Sequence, residues 1–395
     1  MNLIIDSIMG SGKTTWAIRY MNLCPQRKFI FATPFLEEDK RIRENCSSLH
    51  FVSPDGRFSK LSDLKRLIAE GKNIATTHAL LDGWIPSPSD IENLHRWNYT
   101  LILDEAIEVI TPVQGLNKDD YRLLLEQMIS LDPQTKQVRW IAETCPQRYQ
   151  DIKKLAAAGR LFLCRNCQLL NLMPPKLLKA MPNVIIMTFL FEASHLYYYL
   201  RLQGIRWNIA HIRNGRLVMG AEDLAQKKRE IRSLLSIYEG KYNQCGNDGN
   251  SLSATFWSDP RKRSERHNVL NKIRSFFLTF CAAHVNQCMW AVFKAKDRAD
   301  ANIVPGFKTS FVSFNSRASN TLSDRCYLAY AVNIFDHPFI ISWFADHGQT
   351  VNNDLYALSA MLQWIWRSAI RNGQRVSLFL PSKRMRVLLT SWLNS

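Results

Sequence analysis

Residues 7–14 of the chain, S-I-M-G-S-G-K-T, have the types and order that bind a phosphate group. Glycines at positions 10 and 12 let the backbone curl so that its N–H groups point at one anion. The lysine and threonine that follow can reach nucleotide phosphates and a Mg²⁺ ion. Ser7 replaces the glycine that usually opens this pattern. The predicted nucleotide-binding residues are Ser7, Gly10, Ser11, Gly12, Lys13, Thr14 and Thr15.

Two adjacent acids, Asp104 and Glu105, close the apolar run L-I-L-D-E-A. A triphosphate site needs an acid that holds the metal ion and a group that orients water. We predict that Asp104 shares Mg²⁺ with Thr14 and that Glu105 acts as the general base. The alternative is that the pair caps the amino terminus of a helix.

A third set of candidates lies in a helical pattern that runs from Asp354 to about Asn372, before Gly373. Gln363, Arg367 and Arg371 are spaced by four residues, so they would form one stripe along this helix. An arginine that meets the charge developing on a γ-phosphate accelerates its transfer. The alternative is two solvated arginines on an amphipathic helix. The predicted buried face comprises Leu358, Met361, Leu362, Ile365 and Ala369.

Strand-like runs alternate with helical patterns in the first half of the chain. The runs are short and apolar without strict alternation, which favours a parallel sheet covered on both faces. Ligands of such sheets bind at the carboxyl ends of the strands, where the candidate residues fall. The runs are 3–6, 28–33, 73–77, 99–106, 139–144, 159–164 and 183–189.

The second half repeats this alternation after a charged helical pattern and the turn-rich stretch Y-N-Q-C-G-N-D-G-N-S. We therefore predict two domains, 1–205 and 206–395. The apolar runs are S-A-T-F-W-S, C-M-W-A-V-F, T-S-F-V-S-F-N, H-P-F-I-I-S-W-F and R-V-S-L-F-L-P, and the basic helix R-K-R-S-E-R-H-N-V-L-N-K-I-R lies among them.

The formal net charge of +17 favours a polyanionic partner, although a soluble protein can also be basic without one. We find no signal peptide and no apolar stretch of about 18 residues that would span a membrane. Nine cysteines suit a reducing cytoplasm. Cys164 and Cys167 form one C-x-x-C, and without a second ligand pair nearby we favour ordinary thiols over a zinc site.

Taken together, these motifs resemble those of superfamily two helicases, the DEAD/DEAH-like group, and of compact helicase-like proteins from phages and prophages. M-G-S-G-K-T resembles motif I, F-A-T-P-F motif Ia, and L-I-L-D-E-A motif II. A-T-T-H-A-L-L is similar to the next nucleic-acid-contacting motif, I-I-M-T-F with Thr188 partly matches motif III, and F-N-S-R-A-S-N (314–320) occupies the place of motif V. Gln363 and Arg367 match the spacing of motif VI, from which both glycines are missing.

The resemblance implies two tandem RecA-like domains, each with a mostly parallel sheet flanked by helices, and implies ATP with Mg²⁺. It also implies that nucleic acid crosses both domains, with contacts from Thr33, Thr76, Thr77 and His78. The basic helix adds Arg261 and Arg263, followed by Lys262, Arg266, Lys272 and Arg274; the alternative is an ordinary solvated face. Trp364 and Trp366 could stack on bases, but we favour packing.

We therefore expect a cytoplasmic enzyme of a bacterial or phage-infected cell, an ATP-dependent helicase or translocase acting on single-stranded or tailed nucleic acid. DNA is favoured over RNA, with replication or recombination proteins as further partners. One alternative is a nucleotide-gated clamp that binds nucleic acid with little unwinding. Another is a packaging ATPase, which the second half disfavours because it has no tight group of carboxylates.

Overall fold

The computed structural model describes residues 2–34, 36–56, 59–294, 302–315 and 322–395. It divides into two compact units. The first contains Met1–Glu222 and His337–Val351, and the second contains Asp223–Asp336 and Asn352–Ser395. Each unit has its own mostly or wholly parallel sheet.

The strands are numbered in chain order. They are β1 Asn2–Asp6, β2 Lys28–Thr33, β3 Ile74–Thr77, β4 Tyr99–Asp104, β5 Ile110–Pro112, β6 Ile129–Leu131, β7 Val138–Trp140, β8 Leu161–Cys164, β9 Gln168–Leu172, β10 Asn183–Thr188, β11 Asn208–Arg213, β12 Arg216–Met219, β13 Leu235–Ile237, β14 Cys288–Ala291, β15 Tyr327–Tyr330 and β16 Val376–Phe379.

The α-helices are numbered in the same way. They are α1 Lys13–Leu23, α2 Leu36–Asn45, α3 Lys60–Ala69, α4 His78–Asp82, α5 Pro88–Arg96, α6 Lys118–Leu123, α7 Gln150–Ala157, α8 Lys176–Ala180, α9 His195–Leu202, α10 Ala225–Leu234, α11 Ala254–Ser258, α12 Arg263–Ser275, α13 Pro338–Asp346, α14 Asn353–Ile365 and α15 Lys383–Asn394. Within the described ranges, no helix is both long enough and apolar enough to cross a bilayer.

The sheet of the first unit has the strand order β12-β11-β1-β10-β4-β2-β3, and only β12 pairs antiparallel with its neighbour. Alternate residues of the central strands enter two separate cores. Ile4 and Leu101 lie in one core, whereas Leu3 and Ile102 lie in the other. Burial on both faces explains why the strands show no polar alternation, and the predicted α/β class is confirmed.

An insertion between β4 and β10 forms two small antiparallel sheets, β5-β9-β8 and β6-β7, around a core of its own. The prediction that 139–144 and 159–164 belong to the parallel sheet is therefore wrong. Arg165 and Asn166 have φ values of 48° and 58°, and this left-handed pair lies in the three-residue connection between β8 and β9, where the Cys167 N–H donates to the Cys164 carbonyl at 3.1 Å. Cys164 and Cys167 flank that pair as free thiols.

The boundary between the units differs from the predicted division at 205/206. β11 pairs with β1, and β12 pairs with β11, so the first unit continues to Glu222. The H-P-F-I-I-S-W-F run is the helix α13 rather than a strand, with Pro338 in its first turn. Trp343 and Phe344 of this helix are buried in a core of the first unit.

The second unit has a four-stranded parallel sheet in the order β13-β16-β15-β14. Its main core lies around Trp257, Ile273, Phe276 and Trp290. S-A-T-F-W-S forms the helix α11, capped by the Ser253 hydroxyl, and the T-S-F-V-S-F-N run contributes only a bridge at Phe311 among its described residues. The other apolar runs of the second half supply β14 and β16 as expected.

Candidate nucleotide and nucleic-acid sites

The loop from Ser7 to Gly12 joins β1 to α1 in the first unit. Gly10 and Gly12 have φ values of 76° and 87°, which only glycine adopts without strain. Ser7 is buried, and its hydroxyl accepts a 2.7 Å hydrogen bond from the Ile212 N–H on β11. The serine at the first loop position therefore attaches the loop to the neighbouring strand, a bond that glycine could not make.

Lys13 is the first residue of α1, and its ammonium group folds across the loop. Its Nζ donates to the Ser7 carbonyl at 2.6 Å and to the Ile8 carbonyl at 3.2 Å. Burial lowers the pKa of Lys13, and the nearby carboxylates of Asp104, Asp6, Glu222 and Glu105 oppose that shift, in this order. The Lys13 side chain therefore lies at the loop within a cluster of acidic side chains.

The remaining predicted loop residues are arranged around Lys13. Thr14 follows Lys13 in α1, and Thr15 is exposed on the same helix. The Ser11 hydroxyl oxygen is buried and has no hydrogen-bond partner among the described residues. An unsatisfied polar atom beside curled backbone is suited to a polar ligand, since burying it alone costs free energy.

Asp104 and Thr14 form the candidate metal site. The Thr14 hydroxyl donates to Asp104 Oδ2 at 3.2 Å, across 90 residues of sequence. A hydroxyl and a carboxylate are hard oxygen ligands, and Mg²⁺ is commonly held by few protein oxygens together with phosphates and water. The donor set therefore fits Mg²⁺. Burial raises the pKa of Asp104 to about 6, assisted by Glu105 and opposed by Lys13 and the Thr14 hydroxyl.

Asp104→Asn is expected to stabilise the metal-free protein at neutral pH. Because the folded-state pKa is about 6 and the ordinary value is 3.8, stability is lost as the pH rises through this interval. The substitution should add about 1–2 kcal/mol to the free energy of unfolding at neutral pH and almost nothing near pH 4. Urea denaturation in EDTA would measure both values, with exposed Asp119→Asn as the control. An equal gain at both pH values would contradict this pKa.

Glu105 adopts a left-handed backbone conformation, with φ at 74°. Its N–H donates to the Met187 carbonyl of β10 at 2.9 Å, which holds the turn in place. Such conformations cost of order 1–3 kcal/mol in a residue with a side chain, and they concentrate at functional sites. The structure therefore gives Glu105 a strained, fixed position directly after β4, consistent with a catalytic role.

β10 lies between β1 and β4, so Thr188 of the partial motif III match lies at the same edge as the loop and the acids. The Ser7 N–H donates to the Thr188 carbonyl at 3.0 Å. Asp6 accepts from the Phe191 N–H at 2.9 Å, and burial raises its pKa. Asp6 and Glu222 belong to the acidic cluster around Lys13, but neither was predicted from the sequence. Asp6 could have been found from its position at the end of a predicted strand, whereas no sequence signal marks Glu222.

Gln363, Arg367 and Arg371 do not form one helical stripe as predicted. α14 ends at Ile365, and Ala369–Asn372 form a separate 3₁₀ turn that ends at Gly373. The break lies at Ser368, whose extended backbone follows a side-chain hydrogen bond to the Ile365 carbonyl. Arg367 is 9% exposed, whereas Arg371 is exposed.

Other parts of this segment agree with the sequence analysis. The five residues of the predicted buried face are all buried. Gln363 donates to the Ser359 hydroxyl at 3.1 Å. Trp364 is fully buried and donates to the Val312 carbonyl, so its packing role is confirmed. The motif V match at 314–320 lies mostly outside the described residues, as does Phe35 of motif Ia.

The nucleic-acid candidates of the first unit lie at the carboxyl ends of β2 and β3. Thr33, Thr76 and His78 are buried, and Thr77 is partly exposed. The Thr77 hydroxyl accepts from the Leu80 N–H at the start of α4. These residues therefore lie at the same edge of the sheet as Asp104. Thr77 also caps the amino terminus of α4, a role that was not predicted from the sequence.

The basic helix of the second unit is observed as α12. Arg261 pairs with Asp259 at 2.8 Å, Lys262 pairs with Glu265 at 2.7 Å, and Arg266 donates to the Trp257 and Asp259 carbonyls. Arg263 and Arg274 are both exposed. They are three helical turns apart, so they lie on the same face of α12 and can offer charge to a phosphate backbone.

Comparisons with known proteins address the fold and the family. A family model described as the YonV C-terminal Rossmann-like domain matches residues 229–393. An XPD helicase superposes with a TM-score of 0.51 at 12% identity, covering 100% of this chain and 95% of that chain. S. tokodaii Xpd4 gives a TM-score of 0.42 at 10% identity, covering 99% and 94%.

The XPD match and the two parallel sheets identify two RecA-like domains, which agrees at the level of the fold with the resemblance to superfamily two. In sequence, the SPbeta prophage-derived uncharacterized protein YonV of Bacillus subtilis (strain 168) is 34% identical over 412 residues, covering 99% of this chain and 98% of that protein. The chain therefore belongs to the YonV family.

Proposed function

We propose that this protein is a nucleic-acid-dependent ATPase that acts as a helicase or translocase. One observation carries the proposal: Lys13, Thr14 and Asp104 are brought together at the carboxyl edge of the sheet, with Glu105 fixed directly beyond them. This is the arrangement that γ-phosphoryl transfer requires. The RecA-like fold, shared with an XPD helicase, supports the choice of a nucleic-acid motor over other phosphate-loop enzymes.

Each residue of the site would have its own role in ATP hydrolysis. The N–H groups of the glycine turn and the Lys13 ammonium would bind the phosphates. Thr14 and Asp104 would hold Mg²⁺, which neutralises charge on the phosphate oxygens when bound. The Glu105 carboxylate would orient the attacking water and accept its proton.

The positive charge of the protein supports a nucleic-acid partner. The chain carries a net charge of +17, and exposed arginines lie along one face of α12. We propose single-stranded or tailed DNA as the substrate, with action in replication or recombination in the cytoplasm of a bacterial cell. The prophage origin of the YonV relative supports that setting.

ATP turnover with and without nucleic acid tests the proposal. We expect single-stranded DNA to stimulate hydrolysis, and tailed duplexes of DNA and RNA would then show whether strands are displaced. Tight nucleotide-dependent binding without stimulated turnover would instead identify a clamp. Absence of stimulation by any nucleic acid would refute the motor.

Replacing Arg263 and Arg274 together with alanine is expected to weaken DNA binding and to flatten its salt dependence. Each lost phosphate contact should reduce the slope of log K against log salt by about 0.7 for a single strand. Titration of a labelled oligonucleotide at several salt concentrations would measure the slope. Arg122→Ala combined with Lys154→Ala, at exposed basic residues of α6 and α7, is the charge-matched control. An unchanged slope in the double variant would mean that this face is only solvated.

A further inference from the structure

Glu222 contacts the phosphate loop although it lies 214 residues further along the chain. Its Oε2 accepts a hydrogen bond from the Ile8 N–H at 2.9 Å. Ile8 is the second residue of the loop, directly before the glycine turn. Glu222 is also close enough to Lys13 for its charge to favour the protonated ammonium. The Glu222 carboxylate therefore acts on this loop in two ways: it accepts a hydrogen bond from the backbone, and its charge stabilises the Lys13 ammonium.

The position of Glu222 is fixed by the neighbouring strands. β12 ends at Met219, and Gly220 then turns the chain with φ at 100°. The Gly220 N–H donates to the Ile209 carbonyl at 2.8 Å, and the buried His211 ring donates from Nδ1 to the Gly220 carbonyl at 3.0 Å. This turn directs Glu222 toward the loop and gives its side chain a defined anchor.

The charge of Glu222 has a consequence beyond satisfying one N–H group. A phosphate bound by the same loop would place two or more negative charges near this carboxylate, and like charges at such separations repel strongly where solvent is partly excluded. A glutamine would accept the same hydrogen bond without that repulsion. The charge therefore opposes the binding of phosphate.

We propose that Glu222 is an internal anion that sets the nucleotide affinity of the loop and is displaced when phosphate binds. This inference rests on the proposed function, since it requires the loop to bind a nucleotide. Glu222 ends the first of the two chain segments that form the first unit, and the chain enters the second unit at Asp223. Its displacement would therefore release one of the three chain connections between the units.

Nucleotide affinity in the full-length protein tests the role of the charge. Glu222→Gln should bind ADP and ATPγS about tenfold more tightly than the unmodified protein in isothermal titration. Asp223→Asn is the matched control, because it removes the same charge from the adjacent residue and keeps the acceptor for the Ala225 N–H. That control should bind within twofold of the unmodified protein.

The outcomes separate this inference from the proposed function. Equal or weaker binding by Glu222→Gln, with normal binding by the unmodified protein, overturns the inference and leaves the proposed ATPase intact. Absence of nucleotide binding in both proteins refutes both. A merely structural Glu222 would predict weaker binding in the variant and a lower melting temperature, never a gain of affinity.

Hydrogen exchange provides a second test that needs no variant. In the unmodified protein, saturating ATPγS should increase amide exchange in peptides covering residues 219–224, because the anchor of Glu222 is lost. Peptides from α7 in the insertion serve as the internal reference. Unchanged or slower exchange at 219–224 on nucleotide binding would overturn the displacement.

Discussion

Replacing Glu105 with glutamine is expected to reduce nucleic-acid-stimulated ATP turnover by about 10³-fold, since positioned general bases contribute roughly 10²–10⁴ in rate. Nucleotide binding should be retained or become slightly tighter, because the amide keeps the shape of the side chain and removes a negative charge near the phosphates. The left-handed φ of 74° at this residue is a property of the backbone and is present in either variant. Single-turnover hydrolysis and equilibrium binding, measured on the same preparation, would separate the two effects.

Two further variants serve as controls for Glu105→Gln. Glu108→Gln changes an acid three residues later, which pairs with His195 and is half exposed, and it should keep normal turnover. Lys13→Ala should instead weaken nucleotide binding by more than tenfold, because its ammonium group lies across the loop. Loss of binding in Glu105→Gln to the extent seen in Lys13→Ala would assign Glu105 to binding rather than to catalysis.

Local patterns in the sequence predicted the fold where contacts are local. The β1–α1 unit with its glycine turn and the buried strands β2, β3, β4 and β10 follow from apolar runs bounded by turn residues. α13 could not be predicted in this way. Its run H-P-F-I-I-S-W-F is short and nearly all apolar, although only Ile340, Trp343 and Phe344 of the helix are buried, so its period does not separate strand from helix.

In the predicted site, too, the residues placed by local sequence patterns were found, and those placed by contacts between distant segments were not. Four predicted site residues lie at or after the carboxyl ends of parallel strands: Lys13, Thr14, Asp104 and Glu105. Their position at one edge of the sheet could therefore be derived from the sequence alone. Glu222 reaches the loop only because β11 and β12 extend the sheet beyond β1, and nothing in its own neighbourhood marks it. The Ser7 hydroxyl bond to β11 has the same origin, because it depends on a pairing between distant segments.

The arginines of the second unit show how a small local feature changes an interpretation. A spacing of four residues placed Arg367 and Arg371 on one stripe, but the Ser368 side chain bonds to the Ile365 carbonyl and the α-helix has ended by then. Serine competes for backbone groups in this manner and weakens helices from within. The two arginines consequently differ in environment, one largely buried and one exposed, and their roles can be tested separately.

Arg367→Ala is expected to lower ATP turnover by about 10³-fold while nucleotide affinity stays within threefold, since a cation that meets transition-state charge contributes mainly to the rate. Arg371→Ala, at an exposed residue of the 3₁₀ turn, removes an identical charge four residues later and should change turnover by less than twofold. The alternative is structural: Arg367 is 9% exposed, and its charge acts on the buried hydroxyl of Tyr330. Thermal unfolding of both variants distinguishes these roles, because a structural arginine would lower the melting temperature and impair binding and turnover together. If Arg367→Ala shows that joint loss, and Arg367→Lys restores stability and turnover together, Arg367 stabilises its own unit and is no catalytic residue.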